Sequence, residues 1–174
     1  MKFLRTEFED LFILESDKKH DMRGFFSRVF DKNEFKRNGI ESNFLQLNFS
    51  YNKKRGTLRG MHYQKKPYEE VRIIHCTKGK IFDVSIDLRP KSQTYLKWFG
   101  MELSELDHKM MYIPKGFAHG FQTLKNDTEV FYQISTEYKP DYSMGVKWND
   151  EVFKIKWPLK PTIISKKDRM FKSL

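Results

Sequence analysis

Cysteine is nearly absent from this 174-residue chain: Cys76 stands alone. One thiol cannot close an internal disulfide, so the fold must rest on burial and hydrogen bonding, and a reducing compartment is the default. Long apolar runs are missing too. No stretch approaches the roughly 20 residues needed to span a bilayer, and Glu7 brings an acid too early for a secretory signal peptide. The expectation is a cytoplasmic chain with no membrane partner. Internal repeats, low-complexity tracts and linkers are also lacking, so residues 1–174 read as one domain with a core of its own.

What the chain has in quantity is aromatic side chain, 16% of its residues, which suits pleated sheet better than a helical bundle. Short strand-like runs recur between turn signals. Leu11 to Leu14 opens the first, Asp21-Met22-Arg23-Gly24 makes a turn, and Phe25 to Phe30 follows. Asp31 has the character of a helix N-cap, with Glu34 at capping-box spacing and Gly39 as the stop. From Phe44 to Ser50 the side chains alternate, Leu45, Leu47 and Phe49 against Gln46, Asn48 and Ser50, which is a strand period. Strands are expected again over 57–64, 71–77, 81–88, 95–103, 110–113 and 129–136. Lys78-Gly79 is read as the turn of a hairpin between two of them. Many short strands and little helix predict an all-β fold, with the cupin-type jelly roll first among the choices. Its few short helices fall mainly after the second strand and near the C-terminus.

The net charge is +10. Most lysines are scattered among acids. The one cluster, from Lys154 to Lys172, has no nucleic-acid-binding motif beside it, so it reads as a solvated surface and nucleic acid is not expected as a partner.

Chemistry is concentrated in Thr57-Leu58-Arg59-Gly60-Met61-His62-Tyr63-Gln64. Regular pleating places Arg59 and His62 on opposite faces. A bulge at Gly60 would turn both toward one cavity, setting a permanent cation beside a group that titrates near neutrality. That pairing suits an anionic substrate that must lose a proton. Further polar residues interrupt apolar strands: Gln46, Asn48, Arg72, Asp83, His119 and Tyr132. Buried polar groups need partners or a ligand. A metal-binding cupin would offer a second histidine where Gln64 stands, so His62, Glu69, Glu70 and His119 make a poor ligand set, and no metal is expected. The chemistry then falls to acids and bases. His62 needs an orienting carboxylate, for which Asp83, Asp87 and Asp168 are the candidates. Tyr132 could deliver a proton from the opposite side.

The ordered elements Asp21-x-Arg23-Gly24-x-Phe26, Gln46-x-Asn48-x-Ser50, Leu58 to Gln64, Asp83-Val84-x-Ile86-Asp87-Leu88-Arg89, Ile113-Pro114-x-Gly116-Phe117-Ala118-His119-Gly120-Phe121, Trp148-Asn149-Asp150, Trp157-Pro158 and Ser165-Lys166-Lys167-Asp168 resemble the dTDP-4-dehydrorhamnose 3,5-epimerase family of cupin-type nucleotide-sugar epimerases. The likeness runs from about residue 10 to residue 170. It implies a homodimer without metal or cofactor that acts on a small-molecule nucleotide sugar, a 4-keto-6-deoxy sugar on thymidine diphosphate, in deoxysugar biosynthesis. It further implies His62 as general base, Asp168 as its acidic partner and Tyr132 as proton donor. Arg23, Gln46, Asn48, Arg59 and His119 match positions that hold the diphosphate or sugar, and Tyr138 an aromatic near the base.

Two positions depart from the family pattern. Arg72 stands where a lysine steadies the enolate, and Arg28 where a glutamate serves the nucleotide end. Arginine keeps the charge but changes reach and geometry. The alternatives are an epimerase for a non-thymidine nucleotide sugar and a cupin that moves the keto group between carbons 3 and 4.

Overall fold

A computed structural model describes residues 1–174. Its strands are β1 (Lys2–Arg5), β2 (Phe12–Glu15), β3 (Lys18–Asp21), β4 (Gly24–Ser27), β5 (Gln46–Asn52), β6 (Thr57–Gln64) and β7 (Arg72–Lys78). They continue as β8 (Lys80–Asp87), β9 (Trp98–Ser104), β10 (Lys109–Ile113), β11 (Phe117–Thr123), β12 (Thr128–Ile134), β13 (Ser143–Gly145) and β14 (Ile163–Ile164). Two short helices join them, α1 (Lys32–Arg37) and α2 (Lys166–Arg169). One sheet runs β1-β2-β10-β7-β12-β5 and the other β13-β6-β11-β8-β9, with β14 added in parallel to β6. The pair β3-β4 stands as a separate hairpin. This is the expected all-β jelly roll. No helix is long and apolar enough to cross a membrane.

The core lies between the sheets. Ile74, Cys76, Met111, Ile113 and Val130 from the first meet Ile81, Leu103, Phe117 and Phe121 from the second. A second cluster under α1 gathers Leu14, Phe35, Ile73 and Tyr112. Each such side chain, fully buried, contributes about 1.5–3 kcal/mol of transfer free energy.

Asp31 caps α1 as expected, accepting from the backbone N–H groups of Asn33 and Glu34 at 3.0 and 3.1 Å. Such a cap is worth about 1 kcal/mol. The reciprocal half of the capping box does not form. Glu34 accepts instead from the N-terminal ammonium of Met1 at 3.0 Å.

Two expectations are corrected, and the facing of one strand is settled. The run at Leu11–Leu14 belongs to the second strand, because Lys2–Arg5 pairs against it. Lys78-Gly79 does not close a hairpin: β7 and β8 lie in different sheets, and the turn carries the chain from one layer to the other. Gly79 has φ +80°, and a Cβ there would meet Thr128 Oγ1 at 2.5 Å, so the crossing needs glycine. The alternation in β5 faces the reverse of a usual core strand. Leu47 and Phe49 are 63% and 66% exposed, while Ser50 is buried and faces inward.

Candidate active site

A cavity of about 450 Å³ opens between the two sheets. Strand β6 supplies its base and a cation. His62 pairs with His119 across β11, but Arg59 pairs with Phe121, so Gly60 and Met61 together oppose the single residue Gly120. This is the bulge that the sequence led us to expect. Gly60 has φ +129°, and a Cβ on it would come within 2.6 Å of the Gly120 Cα. The extra residue puts Arg59 and His62 on one side, and both line the cavity.

Of the three candidate acids, Asp168 meets His62. Its Oδ1 lies 2.8 Å from His62 Nε2, and its Oδ2 accepts the Gly60 N–H at 3.1 Å. The carboxylate is delivered from far along the chain. Ile163 and Ile164 dock beside Thr57 and Leu58, and Ser165 then caps α2 by accepting from the Asp168 N–H at 3.0 Å. Burial pushes the Asp168 carboxyl up, but the hydrogen bond and charge of His62 and the Gly60 N–H outweigh it and hold it below the usual range. The Phe171 ring packs edge-on to the His62 imidazole at 5.6 Å.

The other two acids are engaged elsewhere. Buried Asp83 meets His119 Nε2 at 2.7 Å, forming a second imidazole–carboxylate pair whose histidine lines the cavity. Asp87, fully buried, accepts from Arg89, Ser92 and Thr94.

Tyr132 enters from the opposite sheet on β12, flanked by Val130 and Ile134 on the same wall. Arg72, also on that sheet, lines the cavity and donates from Nη1 to the His62 carbonyl at 3.1 Å. Its Nε and Nη2 both reach Glu70 Oε1, the former at 3.0 Å. Arg59 is steadied by Asn52 Oδ1, 2.7 Å from its Nε. Tyr138 lies at the mouth, half exposed, on a loop that Gln64 pins at both neighbours: Gln64 accepts from the Lys139 N–H at 2.7 Å and donates to the Glu137 carbonyl at 3.1 Å.

Not every predicted residue is brought in. Gln46 and Asn48 lie opposite Ile134 and Tyr132 on the neighbouring strand but do not line the cavity. Arg23, 87% exposed, pairs with Asp21 at 2.6 Å, and Arg28 pairs with Asp31 at 3.2 Å; neither lines the cavity. Among the charged lining residues, two have no place in the site expected from sequence. Lys167 was read as surface charge, though it adjoins Asp168 in sequence, and it lines the cavity with Nζ 3.3 Å from Ser143 Oγ. Glu70 was weighed only as a metal ligand, whereas it partners Arg72 and Gln64. No three His, Cys, Asp or Glu side chains converge as a metal-binding group.

The cavity therefore holds a carboxylate-oriented imidazole on one wall, a phenol on the other, and three cations, Arg59, Arg72 and Lys167. Such a set can move protons on two sides of an anionic substrate.

The chain matches, over residues 5–174, the family model described as dTDP-4-dehydrorhamnose 3,5-epimerase. It is 41% identical over 174 residues to the dTDP-4-dehydrorhamnose 3,5-epimerase of Escherichia coli K12, covering 98% of this chain and 94% of that one. The Methanothermobacter thermautotrophicus protein described in the same words is 40% identical over 177 residues, covering 99% and 94%. Among solved structures, the dTDP-4-dehydrorhamnose 3,5-epimerase of Bacillus anthracis with TDP and PPi bound superposes with a TM-score of 0.96 at 40% identity, covering 99% of each chain. The Legionella pneumophila dTDP-6-deoxy-D-glucose-3,5-epimerase in complex with dTDP-4-keto-L-rhamnose gives 0.93 at 33% identity, covering 99% and 92%.

Proposed function

The chain belongs to the dTDP-4-dehydrorhamnose 3,5-epimerase family, and we propose that it inverts carbon 3, carbon 5 or both of a thymidine-diphosphate 4-keto-6-deoxy sugar in deoxysugar biosynthesis. One observation carries this reading. His62, held by Asp168, and Tyr132 reach one cavity from opposite sheets.

The steps follow from that placement. His62 takes the proton on the carbon next to the ketone. The electron pair left behind moves into the carbonyl, and the enolate oxygen is held by the Arg72 cation. Tyr132 returns a proton to the other face, which inverts the carbon. His62 then loses its proton to solvent and Tyr132 regains one. The diphosphate or sugar is met by Arg59 and by His119 in its pair with Asp83, while Tyr138 stacks at the nucleotide end; Gln46 and Asn48, off the cavity in this chain, reach substrate only if β5 lies closer to it in the complex. The residues act without a metal or cofactor.

Two features support reading the protein as a homodimer. Leu45, Leu47, Phe49 and Tyr51 form an exposed apolar row on β5 and its approach, and such a row is the kind of face that a twofold mate covers. Arg23 lies off its own cavity, on a hairpin that also exposes Phe25 and Phe26. Arg28 is likewise off the cavity, and both arginines are assigned to the site of a second copy.

Incubation with the thymidine-diphosphate 4-keto-6-deoxy sugar in heavy water tests the reaction. Deuterium should enter at carbon 3 or 5, and His62→Ala should abolish it. A product with the ketone moved to carbon 3 would instead establish the ketoisomerase. Exchange confined to another nucleotide would place the substrate outside the thymidine series.

A further inference from the structure

Glu70 is an anion placed beside the one cation that the proposed reaction most needs. In field terms this is unfavourable, because a carboxylate next to Arg72 opposes the stabilisation of a developing enolate. The arrangement of the hydrogen bonds gives it a different role.

The pair is nearly closed to solvent, with Arg72 and Glu70 side chains 12% and 5% exposed. A guanidinium so withdrawn from water needs a partner. It also needs to be held, since an arginine keeps much rotamer freedom when bound at one point only. Arg72 is bound at three. Nε and Nη2 converge on Glu70 Oε1, and Nη1 donates to the His62 carbonyl at 3.1 Å. Three of its five N–H groups are committed, and one on each terminal nitrogen remains. Glu70 is fixed in turn, because Gln64 Nε2 donates to its Oε2 at 3.1 Å. Gln64 is itself buried, and the two hydrogens of its Nε2 are shared among Glu70 Oε2 and the Tyr68 and Glu137 carbonyls, each 3.1 Å away. A lysine at position 72 would carry one ammonium and could not span the same acceptors in a planar fork.

Building on the epimerase reading, we infer that Glu70 is a positioning residue: it fixes the Arg72 guanidinium relative to His62, so that the cation and the base reach the substrate in one geometry. It touches no reacting atom. Its effect on the chemical step passes through Arg72, and this property separates it from a side chain that merely supports the fold.

A double-mutant cycle reads that property. The four proteins are wild type, Glu70→Gln, Arg72→Met and the double variant. Deuterium exchange at the sugar is measured at saturating substrate, with melting temperature followed in parallel. Glu70→Gln should slow exchange about tenfold or more in the wild-type background, the scale expected when an electrostatic group is misplaced. In the Arg72→Met background it should change exchange by less than about twofold. Equal losses in both backgrounds would overturn the assignment, and so would an unchanged or faster Glu70→Gln enzyme, which would mean that the opposing field dominates. If Glu70→Gln does not fold, Glu70→Asp keeps the charge, shortens the reach and enters the same cycle. A wild-type protein inert toward every 4-keto sugar nucleotide would remove both the epimerase reading and this one. An active wild type with additive losses would remove only the role of Glu70.

Discussion

Asp168 uses both carboxylate oxygens at once, one on His62 Nε2 at 2.8 Å and the other on the Gly60 N–H at 3.1 Å. A single acid thus orients the base and fastens the bulge that aims it. Asn at this position can still accept from Gly60 but carries no charge to stabilise a protonated imidazole. Asp168→Asn should therefore lower deuterium exchange about 10²–10⁴-fold while nucleotide affinity, measured by calorimetry, changes little. A variant within twofold of wild type would remove Asp168 from the mechanism.

Gly60→Ala tests the bulge. The backbone there has φ +129°, and the added methyl meets Gly120 Cα at 2.6 Å, which is backbone and cannot swing aside. Denaturant unfolding should show a loss of about 2–4 kcal/mol. Exchange activity should fall further than stability accounts for, since Arg59 and His62 part company when the register shift is lost.

Asp87 predicts a pH effect on stability. Burial raises its carboxyl, but hydrogen bonds from Arg89, Ser92 and Thr94 overcome that and lower it to about 2. A carboxyl depressed in the folded state contributes stability above its unfolded value near 4, and that contribution fades as pH falls toward 2. The contribution at neutral pH is about 2 kcal/mol. Asp87→Asn should lose about that much at pH 7, and its deficit against wild type should shrink as both are titrated to pH 2. A deficit constant with pH would show that the carboxylate charge is not its source.

Sedimentation tests the apolar row on β5. Phe49 is exposed and packs against Phe131 with ring centroids 5.0 Å apart. A charge on that face should not disturb the inner sheet but should weaken any twofold contact that covers it. Phe49→Glu is expected to sediment as a monomer at concentrations where wild type is a dimer. If wild type is itself monomeric, the homodimer is excluded.

Much of this could be read in the sequence where local pattern decides. Strand β6 falls on the predicted residues 57–64, and the bulge follows from one glycine between two polar residues. The N-cap at Asp31 was likewise local. The Lys78-Gly79 turn was misread because a tight Lys-Gly turn looks the same whether the chain folds back or changes layers; only the pairing partners distinguish the two. The facing of β5 was hidden for a related reason. Alternation fixes which residues share a face but not which face is inside. Among the acids, Asp83, Asp87 and Asp168 were equivalent in sequence, because the separation of Asp168 from His62 is bridged by the parallel pairing of β14, a contact of two residues on each side. Glu70 and Lys167 carried no strand signal of their own. Their roles come from what the closed sheets place opposite them.

The late arrival of Asp168 affects how the molecule matures. The imidazole is laid down with the sixth strand, and its acid follows 106 residues later, after every strand of both large sheets, β14 included. During translation the sheets can pair while the carboxylate is still unmade. A nascent chain can thus have its architecture before it has its dyad, and any chemistry the dyad supports begins only when the final segment settles against Thr57 and Leu58.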